Sequence, residues 1–172
     1  MKTGTPPFWK TKSLEQMTPE EWESLCDGCG NCCLEKFEDW ESGEIQVFPV
    51  ACEYLDVTTG RCLIYEERTL VNSDCLSLTA ETVKEIHWLP ETCAYRLLAE
   101  GKDLPWWHPL VSGRSKTVHE AGISVCDRVL PGSFVHPEDL RKSGRKNMRR
   151  SAARRVKRRH KRSAEGDHDP VP

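Results

Sequence analysis

Cys26-Asp27-Gly28-Cys29-Gly30-Asn31-Cys32-Cys33 packs four thiols into eight residues of a 172-residue chain, and the rest of the sequence is best read outward from it. A thiolate holds a metal at about 2.3 Å, which leaves little slack, and ligands close in sequence cost little loop-closure entropy. In a Cys-x-x-Cys turn the backbone N–H groups point at sulfur and stabilise the anionic ligand. Gly28 and Gly30 permit such a turn without steric cost. As a helix the run would place Cys26, Cys29 and Cys33 at about 0°, −60° and −20° around the axis and Cys32 at about −120°. Three or four ligands to one centre, or a shared platform for two, are the arrangements open to it. The spacing starts like a bacterial ferredoxin run, which goes on with three spacers, Cys and Pro. Here Cys33 follows Cys32 directly, so that motif is absent.

Five more cysteines follow: Cys52, Cys62, Cys75, Cys93 and Cys126. Four local and four distant thiols satisfy two tetrahedral Cys₄ sites, or one iron–sulfur cluster with thiols left over. The expected metal ligands are therefore Cys26, Cys29, Cys32, Cys33, Cys52, Cys62, Cys75 and Cys93, and the thiols by themselves leave the metal open. Cys126, in the strand-like Ile123-Ser124-Val125-Cys126, reads as a small buried hydrophobe. His108, between Trp107 and Pro109, reads as a packed loop residue before a ligand or acid–base group, and His87 and His119 likewise read as structural. Arg96 is expected to pair with Glu91 or Glu100 ahead of any thiolate. No phosphate loop, His-Glu-x-x-His, nucleophile elbow or dinucleotide fingerprint is found, and no reaction is assigned.

Charge divides the chain. The formal net charge of −2 hides an acidic body, residues 1–140, with 12 basic and 24 acidic residues. It also hides a segment from Arg141 to Arg162 with 13 basic residues and no acidic one. That segment is the electrostatic footprint of phosphate-backbone binding, yet it lacks an aromatic residue for base stacking. Nucleic acid, an acidic partner and the chain's own acidic body are its possible counterparts. Hydrophobic residues make up 37% of the chain, below the roughly 45–50% usual in globular domains, so a metal staple is expected to supplement burial. The longest run free of Asp, Glu, Lys and Arg, Leu104 to Gly113, has ten residues, against about 20 for a membrane span. Met1 to Pro7 carries one basic residue and no apolar run of about 7–15 residues, so no secretory signal is read there. The reducing cytoplasm is the expected compartment, where cysteines serve as ligands more than as disulfides.

Local signals are short. Thr18-Pro19-Glu20-Glu21 predicts a capped helix of under two turns through Leu25. Glu44 to Phe48 alternates like a strand ended by Pro49, Cys62 to Tyr65 is a weaker strand, and Ile123 to Val129 a last one. Thr79 to Ile86, with Thr79 as N-cap, and Glu91 to Glu100, stopped by Gly101, predict helices. Leu104 to Pro109 is a rigid aromatic loop. In the tail, Met148, Ala152 and Val156 recur every four residues, so a basic helix or a disordered arm is expected there.

The cysteine run, together with Asp74-Cys75, Trp88-Leu89-Pro90-Glu91-Thr92-Cys93-Ala94-Tyr95-Arg96-Leu97-Leu98-Ala99-Glu100-Gly101-Lys102 and Trp107-His108-Pro109-Leu110, resembles the YcgN family, bacterial proteins related to the YkgJ group. The likeness runs from about Pro7 to Val129, and the basic tail and Cys126 lie outside its pattern. It implies a cytoplasmic protein whose cysteine cluster chelates zinc or iron, with no reaction attached. A related cluster in flagellin lysine methylases hints at redox or methyl-transfer chemistry. The expectation is an α+β fold: a small metal-stapled domain of short helices and a few short strands over residues 1–130, then a basic tail over 131–172, disordered or helical.

Overall fold

The helix that delivers the chain into Cys26 is built by its own first residues. The computed structural model describes residues 6–39, 41–136 and 138–140, and the backbone of 148–150. After a first turn of helix, α1 (Phe8–Thr11), Thr18 caps α2 (Pro19–Ser24). Its hydroxyl accepts the Glu21 N–H at 3.3 Å while the Glu21 carboxylate accepts the Thr18 N–H at 2.9 Å, the reciprocal box the sequence predicts. Leu25, fully buried, closes the helix one residue before the first thiol.

Beyond the cysteines the chain pairs as β1 (Leu34–Asp39) and β2 (Ile45–Ala51), antiparallel. Pro49 does not end β2, contrary to the sequence expectation. The register jumps from Lys36↔Val47 to Leu34↔Ala51, and a proline without an N–H is tolerated at such an irregularity. A two-residue hairpin pairing, β3 (Leu55–Asp56) with β4 (Arg61–Cys62), follows, so the predicted 62–65 strand is present only at its start.

Next come α3 (Arg68–Val71), α4 (Ala94–Ala99), α5 (Pro109–Ser112) and α6 (Thr117–Glu120). Thr79 does cap, accepting the Thr82 N–H at 3.2 Å, but the expected 79–86 helix is only a 3₁₀ turn, Thr82–Lys84. α4 starts three residues later than expected because Pro90 to Cys93 makes a turn, Cys93 N–H donating to the Pro90 carbonyl. It stops as expected: Gly101 has φ of 71°, and the Lys102 N–H reaches back to the Leu97 carbonyl at 2.8 Å.

No strand forms at 123–129. That backbone is spent elsewhere, Val125 N–H on the Cys29 carbonyl and Asp127 N–H on the Val57 carbonyl. The late strand is instead β5 (Leu130–Pro131), parallel to β2. Of the basic segment, β6 (Met148–Arg150) is extended and pairs antiparallel with β1, setting position 149 opposite Glu38. Met148 therefore does not start a helical stripe, because the unpaired edge of β1 offers its backbone a partner. The rest of the expected helical or disordered arm lies outside the described residues.

The result is a small α+β fold whose apolar interior is divided. One cluster joins Leu14, Leu25, Val83, Ile86, Leu89 and Tyr95. A second joins Phe37, Phe48, Val50 and Leu140 under the sheet, and two smaller ones surround Val118 and Val125. Several small clusters bury less than one large core of the same size. The cysteine cavity is walled in part by three of these clusters, through Leu25, Leu89 and Tyr95 of the first, Cys29 of the third and Cys33 and Leu34 of the fourth.

Candidate metal centre

Eight of the nine thiols line one cavity of about 650 Å³: Cys26, Cys29, Cys32, Cys33, Cys52, Cys62, Cys75 and Cys93. They come from the loop after α2, the end of β2, β4, the turn after α3, and the residue capping α4. Cys126 is not among them. A methyl group on Gly60 would meet its sulfur at 3.0 Å and the Gly28 carbonyl oxygen at 2.7 Å. Cys29 is buried, Cys26 and Cys32 are exposed, and the other five are half-buried. The exposed pair open into the cavity, whose walls displace much of the water around their sulfurs.

The cysteine run is not a helix. Gly28 and Gly30 take φ of 71° and 74°, and only Asn31–Cys33 winds into a 3₁₀ turn. This puts backbone donors on sulfur: Gly28 N–H on Cys26, and Asn31 on Cys29 through both backbone and side chain. The same happens at the distant thiols. Cys52 receives the Tyr54 N–H and the Asn72 amide, the latter at 3.5 Å. Cys75 receives the Leu76 N–H, and Cys93 receives the Tyr95 and Arg96 N–H groups of the first turn of α4. Donors aimed at sulfur favour the thiolate over the thiol, which is what a metal ligand needs.

Burial works the other way. Desolvation pushes Cys26 up to about 12 and Cys93 up to about 11. It raises Cys29, Cys52 and Cys75 as well. Cys32 is raised chiefly by its hydrogen bond with Cys33, the two sulfurs lying 4.0 Å apart. Among the described residues no three Cys, His, Asp or Glu side chains converge closely enough for one ion. The donor set fits zinc or iron by its chemistry, eight soft sulfurs facing one space with N–H groups already turned toward them.

Two charged residues at the site carry no signal in the sequence. Lys36, buried within β1, donates from Nζ to the carbonyls of Asn31, Cys32 and Leu34 at 3.2, 2.9 and 2.7 Å. It also lies 4.9 Å above the Trp88 ring. Asp27, inside the run, accepts the Cys29 N–H at 3.0 Å on one oxygen. Asn31 pins the run from outside, its amide donating to the Ile123 carbonyl at 2.8 Å.

Two of the side chains read as structural, His108 and Arg96, make structural contacts. His108 is wholly buried, Nε2 donating to the Leu25 carbonyl at 3.0 Å and Nδ1 accepting the Leu110 N–H at 3.2 Å. Arg96 pairs with Glu100 at 2.8 Å and donates to the Leu89 carbonyl at 2.6 Å.

Comparison with known proteins closes on the same segment. Residues 25–94 match the domain family described as "CxxCxxCC: Putative zinc- or iron-chelating domain", a span that holds the eight cavity thiols and leaves Cys126 out. The chain is 57% identical over 136 residues to a UPF0260 protein of Sinorhizobium medicae, covering 79% of this chain and 88% of the relative. It is equally similar, over the same shares, to UPF0260 protein R01011 of Rhizobium meliloti. The chain belongs to the UPF0260 family. A third relative, UPF0260 protein mll2411 of Mesorhizobium japonicum, is 58% identical over 135 residues, 77% of this chain and 91% of the relative. No solved structure matches. Among the described residues no helix is long and apolar enough to cross a membrane.

Proposed function

We propose that this UPF0260 chain is a cytoplasmic metal-binding protein that chelates zinc or iron through Cys26, Cys29, Cys32, Cys33, Cys52, Cys62, Cys75 and Cys93. The observation that carries the reading is the sorting of the thiols. Eight cysteines from five separate segments face one cavity, and the ninth does not. Chance burial of small hydrophobic cysteines has no reason to sort them so. The bound metal ties together thiol segments that edge three of the apolar clusters, so binding free energy becomes folding free energy. Eight thiolates are the donors of two tetrahedral zinc sites, or more than those of one iron–sulfur cluster. The basic segment Arg141 to Arg162 adds no observation in favour of nucleic acid.

The experiment is anaerobic purification of the full chain, metal analysis and a visible spectrum. A colourless protein with about two zinc per chain supports zinc chelation. A brown one with iron and acid-labile sulfide supports an iron–sulfur centre, and with it the redox or methyl-transfer reading. A metal-free chain with all its thiols open to a thiol reagent, even after zinc or iron is supplied, overturns the proposal.

A further inference from the structure

Asp27 stands inside the cysteine run, and the fold treats its two carboxylate oxygens differently. Oδ1 accepts the Cys29 N–H at 3.0 Å. Oδ2 is buried with no hydrogen-bond partner among the described residues. Asp27 lines the same cavity as the eight thiols, and its charge is felt by Cys26, Cys29, Cys32 and Cys93.

Lys36 and His108 are already committed, and Arg61, whose guanidinium carbon would stand 3.9 Å from a Cβ on Gly28, makes no hydrogen bond to Oδ2. A lysine ammonium has three hydrogens, and Lys36 places them on the carbonyls of Asn31, Cys32 and Leu34. His108, whose ring senses the Asp27 charge, donates from Nε2 to the Leu25 carbonyl and accepts at Nδ1. A buried charged oxygen without a partner is among the costliest groups a fold can keep. Its neighbours make this worse, because cysteines that bind metal become anions around it. A metal cation answers both problems at once, and every native buried polar group left unpaired asks for such an explanation.

We propose that Asp27 Oδ2 is an oxygen ligand of the metal held in the cysteine cavity, so that the donor set is mixed sulfur and oxygen. This rests on the metal-binding reading above, with Asp27 Oδ2 taking one coordination position that a thiol would otherwise fill, one hard donor in a set otherwise soft. The Oδ1 bond to Cys29 fixes the carboxylate within the Cys26–Cys29 turn, leaving Oδ2 as the free oxygen.

The test is X-ray absorption on the full chain loaded with zinc alone and, under anaerobic conditions, with iron alone. The expected wild-type shell has sulfur at about 2.3 Å with an oxygen contribution at about 2.0–2.2 Å. Asp27→Ser keeps an acceptor for the Cys29 N–H but has no second oxygen. It should lose the oxygen contribution and give up metal to a competing chelator at least about tenfold more readily, the scale seen when groups supporting a metal site are removed. A sulfur-only shell in the wild type overturns the proposal whether or not the variant folds. So does an oxygen contribution that persists in Asp27→Ser, which would assign it to water or to another carboxylate. Asp27→Asn, which conserves shape and the Cys29 hydrogen bond, should also weaken binding, and unchanged affinity there overturns it too. A chain that takes up neither metal fails the underlying reading, an outcome distinct from metal held by sulfur alone.

Discussion

His108 donates from Nε2 to the Leu25 carbonyl at 3.0 Å, across 83 residues of sequence. The bond ties the aromatic loop before α5 to the residue that precedes the first thiol. Both partners are fully buried, and the ring's other nitrogen accepts the Leu110 N–H. The imidazole is therefore held neutral, with a set tautomer, and it supports the cysteine run without facing the cavity.

That arrangement predicts a pH dependence of stability. Desolvation is the main cause holding the His108 pKa below its ordinary value of 6.5, partly offset by the bond to Leu25 and by Asp27. The unfolded chain then binds a proton before the folded one does. Stability from this group is full above 6.5 and is lost as pH falls below that value toward the lowered folded pKa. Denaturant midpoints of the wild type should fall between about pH 7.5 and about pH 5.5 more steeply than those of His108→Gln. Equal slopes for the two proteins would show that His108 does not carry the effect.

Gly60 tests the fold around the run. Its φ is +70°, and a Cβ there would stand 2.7 Å from the Gly28 carbonyl oxygen and 3.0 Å from the Cys126 sulfur. Gly60→Ala must strain its own backbone and push the Cys26–Cys29 turn aside. The expected cost is about 2–4 kcal/mol, read by chemical denaturation, together with weaker metal retention. Gly43→Ala has the same backbone conformation but nothing within 4 Å of the new methyl. It should cost only the backbone part, about 1–2 kcal/mol, and leave metal retention alone.

Much of the site was legible in the sequence, because thiol density and glycine placement are local signals. The α2 cap and the Gly101 stop were legible for the same reason: each is settled within four residues. β1 was not. Leu34 to Asp39 shows no clean alternation, since Lys36 and Glu38 both turn out buried, and a buried charge is explained only by partners brought from elsewhere. Trp88, the ring under Lys36, is 52 residues away. The 123–129 segment failed for a related reason. Its pattern suits a strand, but its N–H groups pair with Cys29 and Val57, which nothing local announces. Nor does the spacing of Cys52, Cys62, Cys75 and Cys93 tell which faces they share.

Lys36 gives the third prediction. Its ammonium closes the 3₁₀ turn of Cys32 and Cys33 through three carbonyls. Burial lowers its pKa, opposed by the charges of Cys32 and Cys33. Lys36→Met keeps most of the volume, leaves those carbonyls short of a donor and removes a positive charge felt by Cys32, while Arg68 beside Cys75 remains. Stability should fall by about 2–4 kcal/mol, and a chelator should strip metal faster than from the wild type. Lys36→Arg should not restore it, because a planar guanidinium cannot direct three donors as a tetrahedral ammonium does. Full rescue by Arg would show that charge alone matters.

Cys62 and Cys126 test the proposed division of ligand from bystander most sharply. Both are half-buried lone cysteines away from the dense run, so composition and exposure do not distinguish them. The hairpin pairing Leu55↔Cys62 turns the Cys62 thiol into the cavity. Cys126 is held in a turn whose N–H donates to the Ser124 hydroxyl at 3.1 Å, and it is absent from the cavity wall. Serine replaces sulfur with a smaller, harder, un-ionised oxygen that metals of this class hold poorly. Cys62→Ser should therefore lower the metal-to-protein ratio or speed release to a chelator, as should Cys26→Ser, which is also expected to lose solubility. Cys126→Ser should leave the ratio, the release rate and any visible spectrum at wild-type values, whatever it does to thermal stability. Loss of metal in Cys126→Ser, with retention in Cys62→Ser, would reverse the assignment and place the centre at Cys126.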